Sequence, residues 1–388
     1  MSPTPGTHSI AFAVLGSVLA IVVWSTLGYP LLLRLITGLR PAADPRAQGG
    51  SSSRMALVFT IIDGEDAARR KLENGLALDW LGARPNVIMV VDGPDGTLAA
   101  VANDYRDRGV RVLWSSARRG KAHCQRLALD VVDADLIVFT DVGVNLSPGS
   151  LLAFHQAFED PNVGCVSGTD VTHARSGRLG GEDLYVRAEM ALRTRESALG
   201  ALIGVSGSLF AVRRGLCDPW PVDLTSDLAL PLAIRARGYS VVARNDASGH
   251  YFATESLTKE YHRKVRTVVH GMHVVWSLRR DLNPLRHPFL ATQVATHKLI
   301  RWLVPVFFLA TLAAVTVLAQ DQALFRIAQL VLLAPLAAAL AAMLVRPLQQ
   351  FLVFRLALYA VYVMAAIAAA WPRFVTGDRM AVWDETPR

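Results

Sequence analysis

From Ile10 to Leu33 the chain carries no charged residue. A helix of that length crosses the ~30 Å hydrocarbon core of a bilayer. No Lys or Arg precedes the run, whereas Arg34, Arg40, Arg46 and Arg54 follow it. A cleaved secretory signal has the opposite order, basic first and a small-residue cleavage site last. The charge order therefore predicts an uncleaved anchor whose amino end lies outside and whose continuation lies inside.

The 388 residues are 52% hydrophobic and 19% charged, against about 25% charged in an ordinary soluble domain. The apolar surplus is uneven. Arg40 to Arg54 is rich in Pro, Gly and Ser and reads as a linker. Residues 55–280 have ordinary soluble composition. Beyond them Leu303–Ala319, Ile327–Val345 and Phe351–Trp371 are candidate spans, the last with Arg355 near its start. His287–Trp302 mixes apolar residues with His297, Lys298 and Arg301, the pattern of an amphipathic helix at the membrane interface. The expected organisation is an anchor (1–36), a linker (37–54), a soluble domain (55–280), an interfacial helix (281–302), about three membrane helices (303–372) and a tail (373–388). Arg279, Arg280, Arg286, Lys298 and Arg301 precede the second span and put the soluble domain in the cytoplasm, in a multi-pass protein of the inner (plasma) membrane. Three later spans would leave the tail outside, yet Arg373, Arg379 and Arg388 favour inside. Either one stretch does not cross or the tail charges are overruled. The net charge of +8 fits an anionic membrane face, and no nucleic-acid partner is expected. Cys124, Cys165 and Cys217 are spaced for neither a metal site nor a disulfide framework and read as buried thiols.

Within the soluble domain, Ala56–Ile62, Asn86–Val91, Val110–Leu113 and Leu136–Thr140 read as strands. Asp66–Leu78, Leu98–Asp107 and Lys121–Val132 between them read as helices. The alternation predicts βαβ units and a mostly parallel sheet. Such sheets bind ligands at the carboxyl ends of their strands, where Asp63, Asp92 and Asp141 fall. Each alone is read as readily as a turn or capping residue; three at successive strand ends point to a site. The absence of G-x-G-x-x-G after the first strand and of a Walker loop argues against dinucleotide and P-loop chemistry, and no H-E-x-x-H or nucleophile elbow is present.

Several segments carry, in order, a resemblance to a known family: Lys71-Leu72-Glu73-Asn74, Val91-Asp92-Gly93, Arg119-Gly120-Lys121-Ala122, Phe139-Thr140-Asp141, Val163–Gly168, Gly204–Arg213, Ser226-Asp227-Leu228, Arg263-Lys264-Val265-Arg266 and Val382–Thr386. The chain resembles membrane-embedded family 2 glycosyltransferases of the cellulose, hyaluronan and exopolysaccharide synthase group. The resemblance implies an α/β GT-A (nucleotide-diphospho-sugar transferase) domain with flanking transmembrane helices, which moves a sugar from a nucleotide diphosphate to a hydroxyl with inversion. Such a reaction needs a cation on the departing diphosphate and a base for the acceptor proton. By resemblance Asp141 is the metal-side ligand for Mg²⁺ or Mn²⁺, and Asp227 is the base. Asp63 and Asp92 contact the nucleoside, and Lys121 or Arg119 meets phosphate. Gly207, Ser208, Arg263 and Arg266 face the acceptor or the diphosphate. The expected partners are a nucleotide-sugar donor, a glycan or lipid-linked acceptor, membrane lipids and export or synthase subunits.

The chain departs from the family at four places. Thr60–Glu65 stands where the family has P-x-Y-N-E-E, Gly143 removes the second acid of D-x-D, Ser226 replaces the acid before the base, and Arg263 replaces a Gln. The lost carboxylate predicts weaker metal binding. Two other readings remain beside synthesis of a polymer: a non-catalytic subunit that scaffolds a synthase, and a transferase acting once on polyprenyl phosphate. Asp227 also reads as a helix cap, and Arg263 with Arg266 as a solvated basic face near the membrane.

Overall fold

The structure, a computed structural model, describes residues 5–39, 53–94, 96, 98–173, 190, 192–252 and 257–380. Most of the linker and the Val382–Thr386 segment lie outside the described residues.

Between the apolar segments, the described residues build one eight-stranded mixed sheet. Its strands are β1 (Met55–Ile61), β2 (Val87–Val91), β3 (Val110–Trp114), β4 (Leu136–Asp141), β5 (Asn145–Leu146), β6 (Val163–His173), β7 (Leu209–Arg213) and β8 (Ser240–Phe252). They lie in the order β3-β2-β1-β4-β7-β6-β8-β5. β1 pairs parallel with β2 and β4, and β2 with β3; β7 then runs antiparallel between β4 and β6. The parallel strands are continuous apolar runs because helices cover both of their faces. Leu57, Phe59, Met89 and Val138 join one core with Leu151 and Phe154. Val58, Ile88, Ile137 and Phe139 join another with Phe210 and Trp220 on the opposite face. That division follows from the two-residue period of a strand. Burial of each such side chain is worth roughly 1.5–3 kcal/mol.

Among the described residues three helices are long and apolar enough to cross a membrane: Gly6–Gly38, Ala323–Leu344 and Leu352–Val375. The expected span at Leu303–Ala319 is a helix over Val304–Leu318 only. Its length, about 22 Å at 1.5 Å per residue, falls short alone. It reaches membrane thickness only together with Pro288–Trp302, from which it is bent by 61°.

The amino-terminal helix is interrupted by a π-helical turn at Trp24–Gly28, and the segment before Trp302 by another at Ala295–Leu299. The two turns meet: the Trp24 indole donates to Thr296 Oγ1 at 3.1 Å. Next to them the buried Glu196 accepts hydrogen bonds from the Tyr29 hydroxyl and from Gln293 Nε2. His297 Nε2 lies 3.0 Å from the same carboxylate. His297, expected on an interfacial surface, is thus buried. Burial alone would raise the Glu196 pKa, but its bonds to His297, Tyr29 and Gln293 hold it below the usual carboxylate value.

Candidate active site

The strand order reverses between β1 and β4, the crevice where open α/β sheets take ligands. Asp141 ends β4 there, in register with Thr60 of β1. Asp63 lies exposed two residues past β1. Asp92, just past β2, is buried, and its carboxylate accepts the backbone amides of Arg119 at 2.8 Å and Gly120 at 2.9 Å. The role visible for Asp92 is therefore to hold the Arg119-Gly120 turn. Gly120 adopts φ +89 there, a conformation L side chains rarely enter. The turn starts the helix Lys121–Val131 at the rim of the crevice while leaving Arg119 exposed.

Lys121 then crosses the crevice. Its ammonium lies 2.6 Å from Asp141 Oδ1 and 2.6 Å from the carbonyl oxygen of Gly207. Gly207 belongs to the loop Gly204–Ser208 that leads into β7. The Ser208 carbonyl accepts the Asp141 amide at 3.0 Å, locking the loop to the end of β4. On the other side of the loop stands Asp227. A Cβ on Gly207 would lie 2.8 Å from Asp227 Oδ2, so only glycine lets the loop approach this carboxylate so closely.

Asp227 is the second residue of the helix Ser226–Ala236. Thr225 holds the cap position, and its hydroxyl donates to Asp227 Oδ1. The reading of Asp227 as the helix cap is thus corrected: its carboxylate faces Gly207 and Thr225, and the favourable helix dipole is all it shares with a cap. Ser226, where the family has an acid, is buried and donates to Gln125 Oε1 at 2.8 Å, so a carboxylate here would face another acceptor.

Arg263 and Arg266 lie on the helix Leu257–Ser277, Arg263 exposed and Arg266 half-buried. His270, one turn further, bonds the Met380 carbonyl at 3.2 Å and lies within electrostatic reach of Asp227. Burial lowers its pKa, Arg266 lowers it further, and Asp227 pulls the other way. Asn145, the nearest replacement for the acid lost at Gly143, is carried into β5 and pairs with His250 of β8.

Four residues without a role in the sequence reading complete the site. Lys71 is buried under the Asp141–Val144 turn and donates to Thr140 Oγ1 at 3.0 Å and to the Val144 carbonyl at 2.5 Å. Burial pulls its pKa down to about 7, with Asp141 opposing. Asp170 on β6 accepts from the Ser206 and Ser208 hydroxyls and so holds the Gly207 loop from outside. Ser206 and His270 complete the set. Lys71 and Ser206 stand inside motifs named above; Asp170 and His270 leave no signal of spacing.

Among the described residues no three His, Cys, Asp or Glu side chains come together as a metal-ligating group. Asp141 Oδ1 and the Gly207 carbonyl do converge, on the Lys121 ammonium. These are hard oxygen donors of the kind Mg²⁺ and Mn²⁺ take, and the ammonium is the stand-in cation. The residues fit a divalent cation that brings further ligands with it, rather than one the protein holds alone.

No protein-family model matches the chain, and no curated protein matches it. Among solved structures, the mannosyltransferase PcManGT from Pyrobaculum calidifontis, in complex with GDP-Man and Mn²⁺, aligns over 96% of this chain and 99% of its own, with a TM-score of 0.68 and 20% identity. GalNAc-T7 with UDP, GalNAc and Mn²⁺ aligns over 60% of this chain and 50% of its own, with a TM-score of 0.43 and 12% identity. The mixed sheet is that of a GT-A glycosyltransferase fold, with candidate membrane-spanning helices towards both ends of the chain.

Proposed function

We propose that the chain is a membrane-anchored, inverting family 2 hexosyltransferase. It passes a sugar from a nucleotide diphosphate to a growing glycan or lipid-linked acceptor, in the manner of the cellulose, hyaluronan and exopolysaccharide synthases. The observation that carries this reading is the convergence of Asp141, Lys121, Gly207 and Asp227 at the reversal point of the sheet.

In this reading the nucleoside lies along the ends of β1 and β2, beside Asp63 and the turn held by Asp92. Lys121 and Arg119 bind the diphosphate. Asp141 would hold a divalent cation, Mg²⁺ or the Mn²⁺ named for PcManGT, which when bound would supply positive charge to the departing diphosphate. Asp227 accepts the proton of the acceptor hydroxyl as the new bond forms on the face opposite the leaving group. Gly207 keeps the acceptor side open, and Asp170 holds its loop. Arg266 and Arg263 line the approach from the membrane.

Topology follows from the same reading. The carbonyls of Asp378 and Met380 accept from His273 and His270, each at 3.2 Å, and Arg379 pairs with Asp223 at 3.1 Å. These contacts support a reading in which the chain at 378–380 lies on the catalytic face, in the cytoplasm. An even number of crossings must separate it from the soluble domain. The helix Leu352–Val375 lies beside Leu257–Ser277 from Tyr362 against Tyr261 to Phe374 against His273. The latter helix carries His262, Arg263, Lys264 and Arg266, so we place both along the inner membrane surface.

Incubation of the purified protein in nanodiscs with a panel of labelled nucleotide sugars tests the function. Release of nucleoside diphosphate from at least one donor is expected. No release from any donor by folded protein would move the reading to a scaffolding subunit.

A further inference from the structure

The Lys121–Asp141 pair is open to solvent, at 25% and 24% side-chain exposure. Its ammonium sits between one carboxylate and one carbonyl oxygen, in the way a bound cation would. The other amine nearby, the buried Lys71, is held by Thr140 Oγ1 and the Val144 carbonyl. Gly143 leaves Asp141 without a second acid beside it. A free divalent cation approaching Asp141 must therefore displace an ammonium already in contact. A nucleoside diphosphate changes both terms. Its oxygens offer Lys121 a charge-assisted hydrogen-bonding partner, and they supply the missing ligands of the cation.

We propose that Lys121 is the resident counter-ion of Asp141, and that a divalent cation enters this site only together with a nucleoside diphosphate, which draws Lys121 off Asp141. The proposal rests on the assignment of Asp141 to the donor side of the site. It explains how a single carboxylate serves here: Asp141 is kept paired until the donor arrives, and the cation is bound as part of the donor complex.

The test reads free Mn²⁺ by electron paramagnetic resonance during titration of the full-length protein in detergent, alone and with GDP or UDP. Wild type, Lys121→Met, Lys121→Arg and Asp141→Asn are compared. Wild type alone is expected to bind Mn²⁺ at least about tenfold more weakly than with the nucleotide it accepts, since the diphosphate supplies most of the ligands. Lys121→Met should bind Mn²⁺ without nucleotide about fivefold more tightly than wild type, the scale of a partly exposed ion pair removed. Lys121→Arg, which keeps the charge, should not, and Asp141→Asn should bind no Mn²⁺ in either state. If Lys121→Met does not fold, as judged by its thermal transition, the comparison of wild type with and without nucleotide decides. Equal Mn²⁺ affinity in those two states, or an unchanged affinity in folded Lys121→Met, overturns the proposal. Binding of nucleotide is followed separately by calorimetry without metal. Failure of GDP and UDP to bind there counts against the glycosyltransferase reading, whereas the Lys121→Met arm without nucleotide reads the counter-ion alone.

Discussion

Two of the clusters of ionisable side chains differ in who can reach them. At the mouth of the sheet, Lys121 and Asp141 pair at 2.6 Å with about a quarter of each side chain exposed. At the junction of the amino-terminal helix with the soluble domain, Glu196 and His297 lie at 3.0 Å with 2% and 4% exposed. The distances are alike; the exposure is not. A partly solvated pair costs little to open and can exchange one partner for a substrate group. A sealed pair cannot be opened without stranding a buried charge, so it serves to fix the elements that meet at it. Tyr29, Gln293 and the two π-helical turns around Glu196 belong to different segments of the chain, which that carboxylate ties together.

The largest expected effect falls on the open cluster. Asp227→Asn should lower sugar transfer by about 10²–10⁴-fold, the usual cost of a lost positioned base. Its affinity for nucleoside diphosphate should stay within a factor of about two, since the change is isosteric and lies on the acceptor side. Transfer at the wild-type rate would leave the mouth without its base and make Asp227 a structural residue.

The sealed cluster should answer in stability instead. Glu196→Ala leaves Tyr29, Gln293 and His297 buried without their shared acceptor, at a cost of about 3–5 kcal/mol. The thermal transition of the purified protein should fall sharply, while the folded fraction binds nucleotide as wild type does. A variant as stable as wild type would show that the junction is held by its apolar contacts alone.

Lys71 sharpens the contrast, because it is buried yet belongs to the open cluster. Its folded pKa of about 7 lies below the ordinary lysine value. Between the two, the unfolded chain holds a proton that the folded protein lacks, so stability rises with pH from about 7 towards 10, by at most about 1.4 kcal/mol per pH unit. A neutral amine keeps two N–H groups, enough for Thr140 and Val144. Lys71→Met should flatten this part of the profile, as measured by denaturant unfolding at several pH values. An unchanged profile would mean that Lys71 stays protonated across the range.

The smallest effect is expected from Gly143→Asp. An added carboxylate beside Asp141 should tighten Mn²⁺ binding in the nucleotide complex by a few-fold. No change would place the Gly143 side of the turn away from the cation.

The parallel half of the sheet was legible in the sequence almost to the residue. Ala56–Ile62 against Met55–Ile61 differs by one position at each end, and Leu136–Thr140 against Leu136–Asp141 by one position at its end. These strands are unbroken apolar runs that stop at Asp, and sterics and burial act on neighbouring residues there. The carboxylates past their ends followed from the same logic. The other side of the site was legible only through resemblance. Gly207 and Asp227 meet because a loop and a helix start are brought together by the Ser208–Asp141 and Val205–Asp227 backbone bonds. Asp170 and the Glu196 junction escaped altogether. Their partners are distant in sequence, as Trp24 and Thr296 are, and a hydrogen bond between distant residues leaves no periodicity to read. The apolar helices show the same limit: hydropathy marks which segments are apolar, while the contacts of Tyr261, His273, Asp378 and Met380 show what the last one lies beside.

The central claim is that the open cluster handles a nucleotide sugar and the sealed one does not. The direct measurement is sugar transfer in nanodiscs by wild type, Asp141→Asn and Glu196→Gln, each normalised to its folded fraction, with the donor that wild type accepts. The account predicts loss of at least about 10²-fold in Asp141→Asn, where the departing diphosphate loses its cation, and transfer within about twofold of wild type in Glu196→Gln, which keeps a hydrogen-bond acceptor at the junction. Full activity in Asp141→Asn, or an equal loss in both, would contradict it.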